Sequence, residues 1–287
     1  MDRLEFSYVR PSTVADALEA LAKPGARAIA GGTDLMIEIK ERKTACTELV
    51  DVSEIPGLGQ IRVTEDRIEI GAAAAFTQIA SHPVLREEYT ALAQAAGKVG
   101  SPQIRNRGTI GGNLVTGSSA GDTLCPLTAF GASLTIAARS GEIAVDMDHF
   151  WSEAVRAVLA AGGLLTKVTL PRRERPWKSV FVKLGRRESL AISRESLTVA
   201  AAVDGELRIA EARVAVGSAG RHAYRVPAAE AALAGRRYPE VDPGQVEAAL
   251  AQAVHDALGS RSTVRYKAQA VKGLLGQALE DLRPQMV

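Results

Sequence analysis

Cysteine is almost missing from this chain: Cys46 and Cys125 are the only two among 287 residues. An iron–sulfur cluster takes about four thiolates, so this chain holds none. Four histidines, at 82, 149, 222 and 255, show no zinc-ligand spacing. Aromatic residues make up 4%, too few to build a stacking platform for single-stranded nucleic acid. Neither sign of charge dominates: 35 basic and 33 acidic residues leave a net charge of +2. That balance argues against a nucleic-acid surface and against strong electrostatic steering. No apolar run reaches the length of a transmembrane helix. The opening, MDRLEFSYVRPST, has no apolar core like that of a secretory signal. Two isolated thiols then lead to the expectation of a reducing, cytoplasmic setting.

Glycine, by contrast, is concentrated. Residues 99–123, VGSPQIRNRGTIGGNLVTGSSAGDT, hold glycines at 100, 108, 111, 112, 117 and 121, several hydroxyls, Arg105, Arg107 and Asp122. So long a stretch inside a compact domain reads as a functional loop, and Ile104, Ile110, Leu114 and Val115 anchor it. Glycine permits close main-chain approach, and runs of exposed N–H groups bind anions. A second such segment, RAIAGGTDLM, spans 27–36. It reads as a strand, a Gly31-Gly32 turn, and a helix start capped by Thr33 or Asp34. Such an arrangement favours phosphate. Two of these segments in one chain suggest a ligand with two phosphates.

The remaining pattern is mixed. Residues 13–22 carry a helical stripe, and Glu48–Val52 reads as a buried strand. Residues 60–72 form a hairpin pattern turning at Glu65-Asp66. Helices are expected over 76–80, 87–99, 123–131 and 150–161, and strands over 133–137 and 164–170. The basic, proline-containing segment 171–177 reads as a linker. Beyond it, β-like runs at 179–185, 195–203 and 207–216 precede helical stretches at 227–233, 243–258 and 264–282. In the last, residues 264, 268, 271, 274, 275, 278, 279 and 282 line one face.

Ala30-Gly31-Gly32-Thr33-Asp34-Leu35 and Gln103–Asn113 (QIRNRGTIGGN) together resemble the two flavin-binding motifs of the FAD-binding (medium) subunits of molybdenum hydroxylases, the xanthine dehydrogenase and carbon monoxide dehydrogenase family. The opening FSYVRPSTVADAL, the strand LLTKVTLP at 164–171 and FVKLGRRESLAIS at 181–193 extend the resemblance over nearly the whole chain. It implies an α+β protein: an FAD-binding fold of the vanillyl-alcohol-oxidase (PCMH) type in two subdomains, 1–57 and 58–176, followed by a C-terminal α+β domain, 177–287, with a three-stranded antiparallel sheet.

Carried over by motif, Ala30, Gly31, Gly32, Thr33, Asp34 and Leu35 with Thr109, Ile110, Gly111, Gly112 and Asn113 bracket the FAD pyrophosphate. Asp122 matches an acid that accepts from ribose or ribityl hydroxyls; its alternative is the N-cap of the following helix. Leu165 matches a contact beside the flavin, Lys183 a lysine near it, and Val99 a weaker contact. Ile192 falls near the family's tip over the flavin ring. Neither glycine segment contains a histidine, so the FAD is expected to be noncovalent. No catalytic or metal-ligating residue is expected.

The resemblance further implies an oxidoreductase subunit with two partners: a large molybdopterin-binding subunit and a small [2Fe–2S] subunit, arranged as a dimer of heterotrimers. Electrons would pass from the clusters to FAD and on to NAD+, oxygen or another acceptor. Two other readings stay open. One is a self-sufficient flavin oxidase or reductase whose C-terminal domain caps a substrate. The other is a nucleotide-binding regulatory protein.

Overall fold

The computed structural model describes residues 5–174, 177–187 and 190–286. Arg175 and Pro176 of the expected linker, and Glu188 and Ser189 of the 181–193 motif, lie outside the described residues. The chain divides into two compact units that interleave in sequence. The first comprises Met1–Gln78, Pro102–Thr116 and Gly131–Pro171; the second comprises Ile79–Ser101, Gly117–Phe130 and Arg172–Val287.

The first unit contains two sheets. One is parallel, with Glu48–Asp51 between Ser7–Val9 and Ala26–Ile29. Its middle strand is wholly buried, as a parallel strand covered on both faces should be. The helix Val14–Leu21 packs Ala17, Leu18 and Leu21 against it, and Thr13 caps that helix by accepting from the Asp16 N–H. The other sheet is antiparallel, in the order Ile61–Val63, Arg67–Gly71, Leu164–Pro171, Ser133–Ala138, Gly141–Asp146. The hairpin pairs Ile61 with Ile70 and Val63 with Ile68, as the alternation predicts. Gly162 sits at φ +95°, and a Cβ there would stand 2.9 Å from the Leu21 carbonyl oxygen. Glycine is therefore required both for the turn and for the main-chain approach.

The second unit is built on an antiparallel sheet, Lys178–Leu184, Glu195–Val203, Ile209–Gly217 and Tyr224–Arg225. The last strand adds a fourth, two-residue edge to the three expected; it is too short to show a periodicity. One face of the sheet packs Val180, Val182, Leu197, Val199 and Val214 on the helices Pro227–Leu233, Pro243–Leu258 and Val264–Met286. Six of the eight stripe positions on the last helix are buried, and Val264 and Leu279 pack at its margin. The single helix expected over 87–99 is interrupted at Tyr89, which separates Pro83–Glu88 from Thr90–Gly97. The Tyr89 ring is buried edge-on against Phe130 at 4.7 Å between centroids. Tertiary packing of that ring overrides the continuous helical pattern.

Candidate functional site

The long glycine-rich segment is not a loop throughout. Pro102–Arg107 and Ile110–Thr116 are short helices. Glycine pairs suppress helix propensity, yet here tertiary hydrogen bonds set the conformation. Ile110 N–H donates to the Ala74 carbonyl at 3.1 Å and Gly111 N–H to the Ala72 carbonyl at 2.8 Å. Gly112 N–H donates to Thr109 Oγ1 at 3.1 Å, and Asn113 N–H to the Thr109 carbonyl at 3.0 Å. These donors are therefore already committed. The second motif offers close approach at the exposed Gly112 rather than a row of free N–H groups. Gly111 has another reason to be glycine: a Cβ would stand 2.6 Å from the Ala72 oxygen. Thr166, the residue after Leu165, reaches this region: its carbonyl accepts from the Ala72 N–H. Leu165 itself is buried opposite Ile136 at a bulge in the five-stranded sheet.

The first motif is different. It leaves the carboxyl end of the parallel strand Ala26–Ile29 and turns at Gly32, φ +70°, into Leu35–Lys40. Asp34 stands at the N-cap position without a side-chain cap bond; its Oδ2 instead accepts from Thr116 Oγ1 at 3.5 Å. Among the described residues, the N–H groups of Gly31, Gly32, Thr33, Asp34 and Leu35 have no acceptor in the chain. A turn of unclaimed donors suits phosphate oxygens. The two motifs abut within this unit: a Cβ on Gly31 would stand 2.0 Å from the Arg107 oxygen and 2.9 Å from Gly108 Cα. Gly31 is thus the point where the motifs lock together. That role is invisible in sequence spacing, as are the parts played by Ala72 and Thr116.

The second unit holds the remaining expected residues. Lys183 Nζ donates to Asp122 Oδ2 at 2.6 Å and to the Lys98 carbonyl at 3.3 Å. Both side chains are nearly sealed, at 8% and 6% exposure. Among the described residues Asp122 Oδ1 has no hydrogen-bond partner. Since the other oxygen is on Lys183, Asp122 does not cap Leu124–Phe130. Burial pushes its carboxyl up to about 6, against the opposing pull of Lys183. A buried, orphaned acceptor beside an ammonium is suited to receive a hydroxyl hydrogen. Lys98, which anchors Lys183 through its carbonyl, had no signal in the sequence. Val99 is half-buried and precedes Gly100 at φ +42°. Cys125 is a packed thiol: its Sγ donates to the Ala215 carbonyl at 3.2 Å, and burial raises its pKa to about 12.

Two cavities lie elsewhere. One of about 420 Å³ is lined by Arg172, Arg173, Glu174 and Glu211, and one of about 270 Å³ by Phe6, Ile39, Arg42 and Cys46. In the larger, Arg172 is held by Glu88 and Arg173 by Glu211.

The first unit thus holds a glycine turn with free donors locked to a second glycine motif, the second unit an acidic acceptor sealed against a lysine, and the chain is of α+β class. The comparisons narrow this class. Residues 4–173 match the model of the FAD binding domain in molybdopterin dehydrogenase, and the chain belongs to that family. It is 36% identical to the nicotinate dehydrogenase FAD-subunit of Eubacterium barkeri, over 98% of this chain and 97% of that one. It is 27% identical to the nicotine 6-hydroxylase medium subunit of Paenarthrobacter nicotinovorans, over 95% and 94% of the two chains. Its fold matches a chain of carbon monoxide dehydrogenase from Hydrogenophaga pseudoflava with a TM-score of 0.87 and 24% identity, covering 99% of each chain. The protein is an FAD-binding medium subunit of the molybdenum hydroxylase dehydrogenases, and the expected fold is the one found. Among the described residues no helix is long and apolar enough to cross a membrane.

Proposed function

We propose that this chain is the electron-transferring flavoprotein of a three-subunit molybdenum hydroxylase. It would take electrons from the [2Fe–2S] clusters of a small partner and pass them to NAD+, oxygen or another acceptor. A large molybdopterin-binding partner would oxidise the organic substrate, and the whole would assemble as a dimer of heterotrimers. The observation that carries this reading is the pairing of a cofactor cradle with an almost cysteine-free chain. The turn at Gly31–Leu35 presents unclaimed donors, whereas two cysteines cannot ligate a cluster. Three segments with one sheet each support the division at about 57 and 176.

The residues fit FAD. The N–H groups of Gly31–Leu35 would bind phosphate oxygens, and Gly112 would let the pyrophosphate approach the main chain. Asp122 Oδ1 would accept from a ribityl or ribose hydroxyl, and Lys183 would orient that carboxylate. Leu165 and Val99 would supply apolar contact that excludes water. Bound FAD supplies a carrier able to exchange one or two electrons.

The test is purification of the native protein through a mild affinity tag on this chain, followed by assay for FAD, iron, molybdenum and further chains. All of these should be present. A homogeneous single chain, free of both metals and turning over an organic substrate, would overturn the proposal.

A further inference from the structure

Lys178–Leu184 is an edge strand: it pairs with Glu195–Val203 on one side only. The outward main-chain groups of an edge strand are left for other partners, and here side chains take them in alternation. Ser179 N–H donates to Gln285 Oε1 at 3.0 Å, and its carbonyl accepts from Gln285 Nε2 at 3.1 Å. Two residues on, Phe181 N–H donates to Gln94 Oε1 at 2.8 Å, and its carbonyl accepts from Lys98 Nζ at 3.3 Å. The third residue of this alternation is Lys183. It is held through its side chain, which donates to the Lys98 carbonyl at 3.3 Å and to Asp122 Oδ2 at 2.6 Å. Lys98 therefore grips the strand twice, once by its ammonium and once by its carbonyl.

The end of a helix places Lys98 for this. It caps Thr90–Gly97, donating its N–H to the Gln94 carbonyl at 3.1 Å and to the Ala95 carbonyl at 3.0 Å. Its ammonium stands 5.8 Å from the centre of the buried Phe181 ring, within reach of a cation–π attraction. Burial holds that ammonium below the usual lysine range; Asp281 on Val264–Met286 and Asp122 pull it up, and Lys183 pushes it down. The same charges act on Asp122. Burial raises its carboxyl, while Lys183 on the edge strand and then Lys98 pull it down. Cys125 on Leu124–Phe130 is also within electrostatic reach; pushed up to about 12, that thiol stays neutral. Two ammonium groups thus act on Asp122, and one of them holds the other in place.

We propose that Lys98 is a positioning residue for the hydroxyl acceptor of the cofactor site: its tether to Phe181 fixes Lys183 on Asp122, and its charge favours the ionised carboxylate. The inference rests on the reading above, in which Asp122 accepts from an FAD hydroxyl. A carboxylate with one oxygen on Lys183 keeps the other for FAD only while it is ionised; a proton on that oxygen removes the acceptor. Two cations share the task of opposing burial. A hydrogen bond to a main-chain carbonyl holds the Lys98 ammonium in place without neutralising it, so its field still reaches Asp122. Removing the side chain therefore has two separable effects. The strand loses a clamp, which acts at every pH, and the carboxylate loses a cation, which shows only as a change with pH.

The experiment titrates the flavin-free full chain with FAD, by fluorescence quenching between about pH 5 and about pH 8, and records each variant's thermal midpoint. In wild type, affinity should fall as pH drops through about 6, where Asp122 gains its proton. Lys98→Met should bind FAD about three- to tenfold more weakly at neutral pH, with the fall displaced upward by about half a pH unit or more. Lys98→Arg, which restores donor and charge, should return both to wild type. Gln94→Leu releases the Phe181 N–H without altering charge; it should weaken FAD equally at every pH and leave the fall where it was. Lys98→Gln, uncharged but polar, should shift the fall as the methionine variant does, and it carries the test if that variant does not fold. A Lys98→Met or Lys98→Gln profile that falls at the wild-type pH would overturn the proposal, even with overall affinity reduced. So would a Lys98→Arg variant that fails to restore the profile. Asp122→Ala with undiminished FAD affinity would instead overturn the reading of Asp122 itself, and the role of Lys98 with it.

Discussion

Replacing Gly31 with alanine tests the idea that the two glycine motifs are locked to each other before any cofactor binds. The added Cβ would stand 2.0 Å from the Arg107 oxygen, 2.7 Å from its carbonyl carbon and 2.9 Å from Gly108 Cα. All three atoms are main chain, so no side-chain rotation relieves the contact. Restoring a 3.4 Å contact requires a separation of about 1.4 Å between the segments (3.4 less 2.0). Overpacking of this kind costs about 1–3 kcal/mol, and the upper end applies when backbone must move. For a protein of this size, about 3 kcal/mol corresponds to a fall of roughly 6–12 °C in thermal midpoint. Gly112→Ala is the contrasting variant. Its Cβ would meet only Thr109 Oγ1, at 3.1 Å, and the position is helical and exposed. Alanine there should leave the flavin-free chain unchanged or stabilise it by about 0.5–1 kcal/mol, while impairing FAD uptake. Midpoints of the flavin-free proteins and FAD titrations separate the two cases. Gly31→Ala with a wild-type midpoint and normal FAD affinity would refute the locking argument.

Further outcomes follow from the same geometry. Glu195 carries a carboxyl raised by burial to about 8, well above its ordinary value, so the folded state holds the proton that the unfolded state releases. Stability should therefore fall as pH rises from the ordinary carboxylate range through about 8, with a slope approaching about 1.4 kcal/mol per pH unit. Glu195→Gln should flatten that slope and melt higher than wild type at alkaline pH; identical pH profiles would exclude the buried-acid account. Asp122→Ala removes the orphaned acceptor and should weaken FAD by about tenfold, the worth of one lost buried hydrogen bond of ~1.4 kcal/mol. Asp122→Asn keeps an acceptor oxygen and should lose less; flavin released on dilution reports both, and unchanged retention in Asp122→Ala would remove this residue from the site. Acid or heat should release the chromophore with the mass of FAD, because neither motif has a histidine to bond it; colour remaining on the precipitate would contradict this.

Sequence pattern alone carried much of the fold. Alternation marked the hairpin at 61–70, and a helical stripe marked the buried face of Val264–Met286, because each depends on burial of a single face. The two glycine motifs were legible because few residue types tolerate the required main-chain approach. The paired motifs and the family resemblance pointed to FAD, and the family match bears that out. What remained hidden depends on contacts between distant segments. The helix at Ile110–Thr116 exists despite its glycine pair because the Ile110 and Gly111 N–H groups meet the Ala74 and Ala72 carbonyls. Tyr89 interrupts a continuous helical pattern because Phe130, 41 positions on, shares its packing. Sequence determined which residues could approach a phosphate or line a core. Tertiary structure alone decided which donors stayed free and which acid lost its second partner, because both depend on neighbours far away along the chain.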